Sequence, residues 1–319
     1  MLRQQDVGHR IVVRRIVGIR EGRPLFSDAL GELVALDETH LTMETAQGPL
    51  RVPHGEVHRA KRVPPTRRPT ASAVIELELA ADEAWPAPVR DRLGSWLLRG
   101  AQGWTGRANS ALPVGDPDRP LPEAVDAVLR WYAGQGQQAL VNTPLPLAAP
   151  VGAELDRRGW TARPPVLVQT VPLSGLLAAA PPRAEPPVVE LTRAPDPGWL
   201  AVTTGRKGTF PPAAMQVLTE VVQVRFARVR IDGRVVAAGR GTVTGAGRWL
   251  GLTLIEVVDE ARRRGLAGQL VRALAEWGAE VGASRAFLQV EQHNTAAVTL
   301  YRRLGFTTHH TYLTREAPA

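Results

Sequence analysis

Two stretches of this chain echo each other at a fixed distance, and that repeat limits the folds open to it. EAVDAVLRWYAGQGQQALV, followed by LDRRGW, lines up with GQLVRALAEWGAEVGASRAFLQV, followed by LYRRLGF. Trp131 to Gly159 and Trp277 to Gly305 span the same 28 positions, and a single offset of 146 relates the two stretches. A block repeated in this way is one supersecondary unit used twice. Two proline-rich stretches, KRVPPTRRPT at 61–70 and PPRAEPP at 181–187, then punctuate the chain, because proline removes backbone donors and breaks helices. At 319 residues the chain exceeds what one core usually supports. Three segments follow: 1–65, 70–180 and 186–319.

The first segment alternates apolar and polar residues in short runs, Arg10 to Val17, Gly31 to Leu36, His40 to Glu44 and Pro49 to Val57, with turn signals between them. This pattern reads as a small SH3-like β-barrel of about five strands. Such a barrel could recruit a protein or nucleic acid or serve only as a docking module, since fold alone assigns no function.

The third segment carries most of the legible chemistry. Asp232-Gly233 separates two β-rich runs, a strong hairpin signal. WLGLTLIEVV gives a further strand, and Leu266, Leu270, Leu274 and Trp277 recur at helical spacing, so a helix spans about Leu266 to Glu280. A strand RAFLQV, a helix NTAAVTLYRRLG and a last strand HHTYLT complete it.

Between strand and helix lies EARRRGLAGQLV, residues 260–271. A helix start presents unpaired N–H groups and the positive end of its dipole, which suits an anion. Gly265, Ala267 and Gly268 let backbone approach closely, and Arg262, Arg263 and Arg264 add charge. The stretch is not a nucleoside triphosphate loop, which needs Gly-Lys-Ser/Thr, nor a GxGxxG dinucleotide loop. Taken alone it is either solvated surface or a phosphate cradle.

Arg262-x-x-Gly265-x-Ala267 after an apolar strand, followed by Val290, Asn294, Ala297, Tyr301 and Gly305-Phe306 in FLQVEQHNTAAVTLYRRLGF, resembles the GNAT superfamily of acetyl-CoA-dependent N-acetyltransferases. The resemblance implies two parallel strands splayed apart, here Leu252 to Val258 and Ala286 to Val290, with acetyl-CoA as co-substrate lying between them and no metal. It implies that backbone around Ile255 and Val257 bonds the pantetheine arm, and that Arg262, Arg263, Arg264, Gly265, Leu266, Ala267 and Gly268 hold the pyrophosphate. Asn294 and Ala297 would complete the cofactor site, and Tyr301 would protonate the departing thiolate as general acid. An amine acceptor, small molecule or protein lysine, would attack the thioester directly in a ternary complex. The general base is open between Glu256, the one we favour, Glu291 and ordered water. Tyr301 also suits a core aromatic, and Asn294 an ordinary helix N-cap.

With that resemblance, the repeat becomes a tandem pair of GNAT-like folds behind a barrel, a mixed α+β architecture similar to actinobacterial proteins described as histone-type acetyltransferases. The middle copy looks inactive. Arg262 to Ala267 correspond to Asp116-Pro117-Asp118-Arg119-Pro120-Leu121, where prolines lack N–H groups and aspartates repel an anion, and Leu155 stands opposite Tyr301. The acceptor would lie against 198–226, with Trp199, Phe210 and Phe226 as candidate apolar walls, and against the middle copy, which would serve as scaffold, substrate wall or both.

Composition removes other classes. With no cysteine there is no thiol nucleophile, disulfide framework or thiolate zinc site. That, a terminus without an apolar signal core, and no apolar run of ~18 residues lead us to expect a cytoplasmic protein away from membranes. The net charge of +8 does not by itself indicate nucleic acid, since the arginines are scattered and lysine occurs only at Lys61 and Lys207. The rival to an enzyme is a non-enzymatic acyl-CoA sensor joined to a recruiting barrel.

Overall fold

The structure, a computed structural model, describes residues 2–45, 48–63, 69–180, 188–205 and 210–318. The proline-rich stretches fall largely outside the described residues, at 64–68 and 181–187, as does 206–209. The chain forms two compact units, Met1–Arg68 and Pro69–Ala319.

In the first unit, β1 (Arg10–Arg20), β2 (Arg23–Leu36), β3 (His40–Thr45), β4 (Gly48–Pro53) and β5 (Val57–Arg62) form an antiparallel sheet ordered β4-β3-β2-β1-β5. Alternation does what it predicts: Ile11, Val13, Leu33, Leu41, Met43 and Val52 share one core. The closure expected of a barrel is not found. β4 and β5 end the pairing path and do not pair with each other among the described residues, so this is an open five-stranded sheet.

The second unit begins with α1 (Ala71–Ala84), the hairpin β6 (Val89–Leu93) and β7 (Trp96–Gly100), α2 (Leu121–Gly134), β8 (Leu140–Leu145), α3 (Ala149–Arg157), a short β9 (Thr161–Ala162), β10 (Val166–Pro172) and α4 (Leu173–Ala179). It continues with β11 (Val189–Thr192), α5 (Pro197–Thr204), α6 (Pro212–Thr219), β12 (Val224–Ile231), β13 (Arg234–Thr244), β14 (Trp249–Val257), α7 (Leu266–Glu280), β15 (Arg285–Glu291), α8 (Thr295–Arg303) and β16 (Thr307–Glu316). The architecture is mixed α+β. The sequence repeat is a repeat of elements: α2, β8 and α3 recur as α7, β15 and α8, and the offset of 146 carries α3 onto α8 end to end.

Local signals account for the second half. Asp232 and Gly233 take φ of 49° and 77°, the left-handed pair that a two-residue hairpin turn between β12 and β13 requires. Leu266, Leu270, Leu274 and Trp277 of α7 are all at most 5% exposed, seated on the sheet. Each such burial contributes roughly 1.5–3 kcal/mol.

Tertiary pairing joins the two halves. One sheet runs β11-β12-β13-β14-β15-β10-β16-β8, with β9 also on β16. β10, from the first half, is inserted between β15 and β16 of the second, pairing Val166–Pro172 with Arg285–Glu291 and Val166–Thr170 with Thr307–Tyr312. The far end of β16 is inserted in turn between β8 and β9, pairing Thr311–Glu316 with Leu140–Leu145 and Arg315–Glu316 with Thr161–Ala162. The halves have exchanged their last strands.

A fragment of residues 188–318 expressed alone therefore lacks the strand its own sheet closes around. It is expected to show no cooperative denaturation by urea, and co-expression with 69–187 to restore one transition.

Candidate active site

β14 and β15 run parallel but pair only over Trp249–Leu252 and Arg285–Leu288. Past this point β14 bulges. Its register against β13 shifts between Ala238 and Arg240, and Leu254 takes a φ of 53°, unusual for a residue with a side chain. The bulge turns β14 away from β15, so Thr253–Val257 and Gln289–Glu291 stand apart with no pairing between them. The parted strands border a cavity of about 590 Å³.

Ile255 and Glu256 of β14, and Asn294, Ala297 and Tyr301 at α8, all line this cavity. Val257 packs instead against the core beneath α7. Arg262 to Gly268 are not among its lining residues; they form the loop and first turn after β14, with Gly265 as N-cap of α7 at φ 79° and Arg263 at φ 61°. No side chain caps α7, whereas Thr70, Asp196 and Asn294 cap α1, α5 and α8. Gln269 is the first residue whose N–H returns to this helix start, on Gly265 O at 3.2 Å. The amides of Leu266, Ala267 and Gly268 thus have no acceptor among the described residues. A Cβ on Gly268 would meet nothing within 4 Å, so the first turn of α7 is uncovered on that side. Arg262 is exposed and tied back to Asp259 at 2.7 Å and to Val257 O at 3.3 Å.

Tyr301 packs edge-on to Phe306, ring centroids 5.8 Å apart, and is only 8% exposed. Burial, with the Glu256 carboxylate adding to it, pushes its phenol up to about 12, so the ring keeps its proton at neutral pH. Glu256 itself makes no ion pair among the described residues, whereas Glu291 is engaged by His293 Nε2 at 3.1 Å. Asn294 Oδ1 accepts from Ala297 N at 3.2 Å, so it is a helix cap as well as a cavity residue.

The opposite wall comes from the first half: Trp85, Thr105, Gly106, Arg107 and Arg163. The sequence offers the middle copy as a wall but none of these residues by name, because tertiary pairing between the halves, not local pattern, brings them over β14. Trp199 and Phe226, expected as acceptor walls, are instead 1% and 0% exposed and pack on each other in the core, with Trp199 Nε1 donating to Gly239 O at 3.0 Å. Phe210 lies edge-on to Trp104.

In the first half, the position of the Arg262–Gly268 loop is closed. Pro120 is the N-cap of α2, Pro122 follows in its first turn, Asp118 N donates to Asp116 Oδ1 at 2.8 Å, and Trp96 Nε1 donates to Gly115 O at 3.1 Å. A smaller hollow of about 220 Å³ remains there, bounded by Trp96, Pro117 and Leu121. Leu155, at the Tyr301 position, is fully buried.

The chain has three tyrosines, and burial raises all of their phenols: Tyr132, Tyr301 and Tyr312. A raised folded value means their contribution to stability is complete below the ordinary value of 10 and is lost as pH climbs through the higher folded values, about 12 for Tyr301. Ultraviolet titration is expected to show no tyrosinate in the folded protein at pH 10, with ionisation accompanying alkaline unfolding.

Comparison with known proteins agrees with this geometry. The family described as "Probable histone acetyltransferase Rv0428c C-terminal" matches residues 71–314. A Mycobacterium tuberculosis (strain ATCC 25618 / H37Rv) protein named "Probable histone acetyltransferase Rv0428c" is 33% identical over 97% of this chain and 95% of its own. "Uncharacterized N-acetyltransferase YobR" of Bacillus subtilis (strain 168) is 28% identical over 73% of this chain and 94% of its own. A solved "GCN5-related N-acetyltransferase from Kribbella flavida" superposes with a TM-score of 0.60 at 16% identity, covering 77% of this chain and 96% of that one. Parted parallel strands, an uncapped basic helix start beside them and this kinship agree: the chain belongs to the GNAT family and is an N-acetyltransferase.

Proposed function

We propose that the second half of the unit transfers an acetyl group from acetyl-CoA directly to a primary amine within a ternary complex, and that the first half is catalytically silent. The observation that carries this reading is the pair of parted strands with Tyr301 and Glu256 facing one cavity. Thr253–Val257 has no strand partner on the side toward β15, and that edge can bond an extended pantetheine arm as an added strand would. The amides of Leu266, Ala267 and Gly268, which have no acceptor among the described residues, with Arg263 and Arg264 beside them, suit a pyrophosphate. These groups fit the cofactor, which supplies an activated acetyl thioester.

The residues then divide the proton work. Glu256, without a competing cation, takes the proton from the acceptor ammonium so that its nitrogen can attack. Tyr301 Oη, held protonated, delivers a proton to the sulfur as the C–S bond breaks and the new C–N bond forms, and the second proton shed by the nitrogen restores the phenol. Phe306 and the α8 packing fix the ring that does this. No cysteine is available for an acyl-enzyme, which agrees with direct transfer. The closed Pro120 loop and buried Leu155 support a silent first copy, so residues 70–180 serve as wall and scaffold for 186–319.

Calorimetric titration is expected to give one acetyl-CoA site per chain; two sites, or none, would overturn the assignment. Tyr301→Phe should lower kcat on any accepted amine by about 10²–10⁴-fold while leaving the acetyl-CoA Kd near that of the parent. Unchanged turnover removes Tyr301 from the acid role.

A further inference from the structure

Arg107 is a charge without a counter-charge. It sits in the turn between β7 and α2, half-buried on the cavity wall. Its guanidinium lies over the Trp85 ring, 5.5 Å from the centroid, and hydrogen-bonds the neutral Tyr312 phenol, while its Nε is enclosed with no hydrogen-bond partner among the described residues. Several other enclosed arginines of the unit have carboxylates: Arg99 meets Asp82, Arg158 meets Glu154 and Asp126, and Arg228 meets Glu190 and Asp196. Arg107 has none among the described residues.

A second cation sharpens this imbalance. Arg240, wholly buried, also lies over Trp85, at 5.3 Å, and donates to the carbonyls of Leu218, Ala84 and Val217 rather than to an acid. Burial and the nearby Arg107 pull it down to about 9, which still leaves it charged at neutral pH. Two guanidinium groups thus share one indole with no anion between them. In a partly dry site such charge attracts an incoming anion strongly, and a guanidinium fork matches carboxylate or phosphate in shape. Arg163, the other cationic residue of this wall, is already paired with Glu316 at 2.8 Å. The carboxylates of the cavity, Glu256 and Glu291, lie on the facing strands β14 and β15.

We propose that Arg107 is a specificity residue that binds a negatively charged group, carboxylate or phosphate, on the acceptor. The substrate class is then a small amine that also carries an anion, its amino end toward Glu256 and its anionic end at Arg107, rather than a polycationic lysine-rich chain. This rests on the acetyltransferase reading above.

The test titrates the full chain, with and without CoA, with matched pairs: L-amino acids against their amides, and O-phosphoethanolamine against ethanolamine, with a lysine-rich peptide as the polycationic arm. The anionic member of one pair is expected to bind about tenfold or more tighter than its neutral partner, the usual size of a hydrogen bond to a charged group. Which pair shows the preference distinguishes carboxylate from phosphate. Arg107→Gln should abolish the preference and Arg107→Lys restore part of it, with thermal unfolding and the acetyl-CoA Kd unchanged. Equal binding within both pairs, no binding of any small amine, tighter binding of the lysine-rich peptide, or a preference that survives Arg107→Gln overturns the proposal. So does a weakened acetyl-CoA Kd in Arg107→Gln, which would assign the residue to the cofactor. Failure of the parent protein to bind acetyl-CoA overturns the acetyl-transfer reading instead, and the titrations without CoA then decide Arg107 on their own.

Discussion

The pairing of β10 between β15 and β16 is the constraint on which the rest of this unit depends. It supplies β15 with a neighbour on the side away from β14, over seven residue pairs from Val166–Glu291 to Pro172–Arg285. β15 can therefore remain a central strand although β14 leaves it after four pairs. Without β10 the parting of β14 and β15 would expose an edge on both sides of β15, the arrangement that invites non-native pairing. An opening in the sheet is tolerated because the sheet is secured immediately beside it.

The same pairing sets the wall of the site. Arg163 lies just before β10, in the strand connection that leads into it, and Trp85 and Arg107 belong to the half that β10 ties down. α1 reinforces the join: Thr244 Oγ1 donates to Ala80 O at 2.8 Å, and the buried Glu78 meets His310 Nε2 at 2.7 Å. Residues of the first half thus form one wall of the cavity that the parting of β14 and β15 opens.

What the sequence disclosed was what short-range periodicity can disclose. The hairpin at Asp232-Gly233, the buried stripe of α7 and the Asn294 cap each follow from residues within one or two turns of chain. The repeat at 146 was legible for the same reason, since like elements keep like patterns. The strand exchange was not, because β10 and β15 pair residues more than a hundred positions apart and both strands read as apolar runs in any arrangement. The bulge at Leu254 has no signal at all: nothing in LTLIEV distinguishes a leucine that takes a left-handed φ. Trp199 and Phe226 misled for the opposite reason, since large aromatics suit a pocket wall and a core equally well. Arg107, in WTGRANS, carries its meaning only through Trp85 and an absent carboxylate, both set by tertiary contacts.

The place of β16 has a consequence for biosynthesis. Its last six residues, Thr311–Glu316, pair with β8 of the first half. β8 and β9 therefore wait, unpaired on their facing sides, until β16 has been synthesised. The early half emerges first yet is completed last, so this unit cannot mature one copy at a time as tandem domains commonly do. Its nascent form carries open strand edges until β16 emerges and closes them.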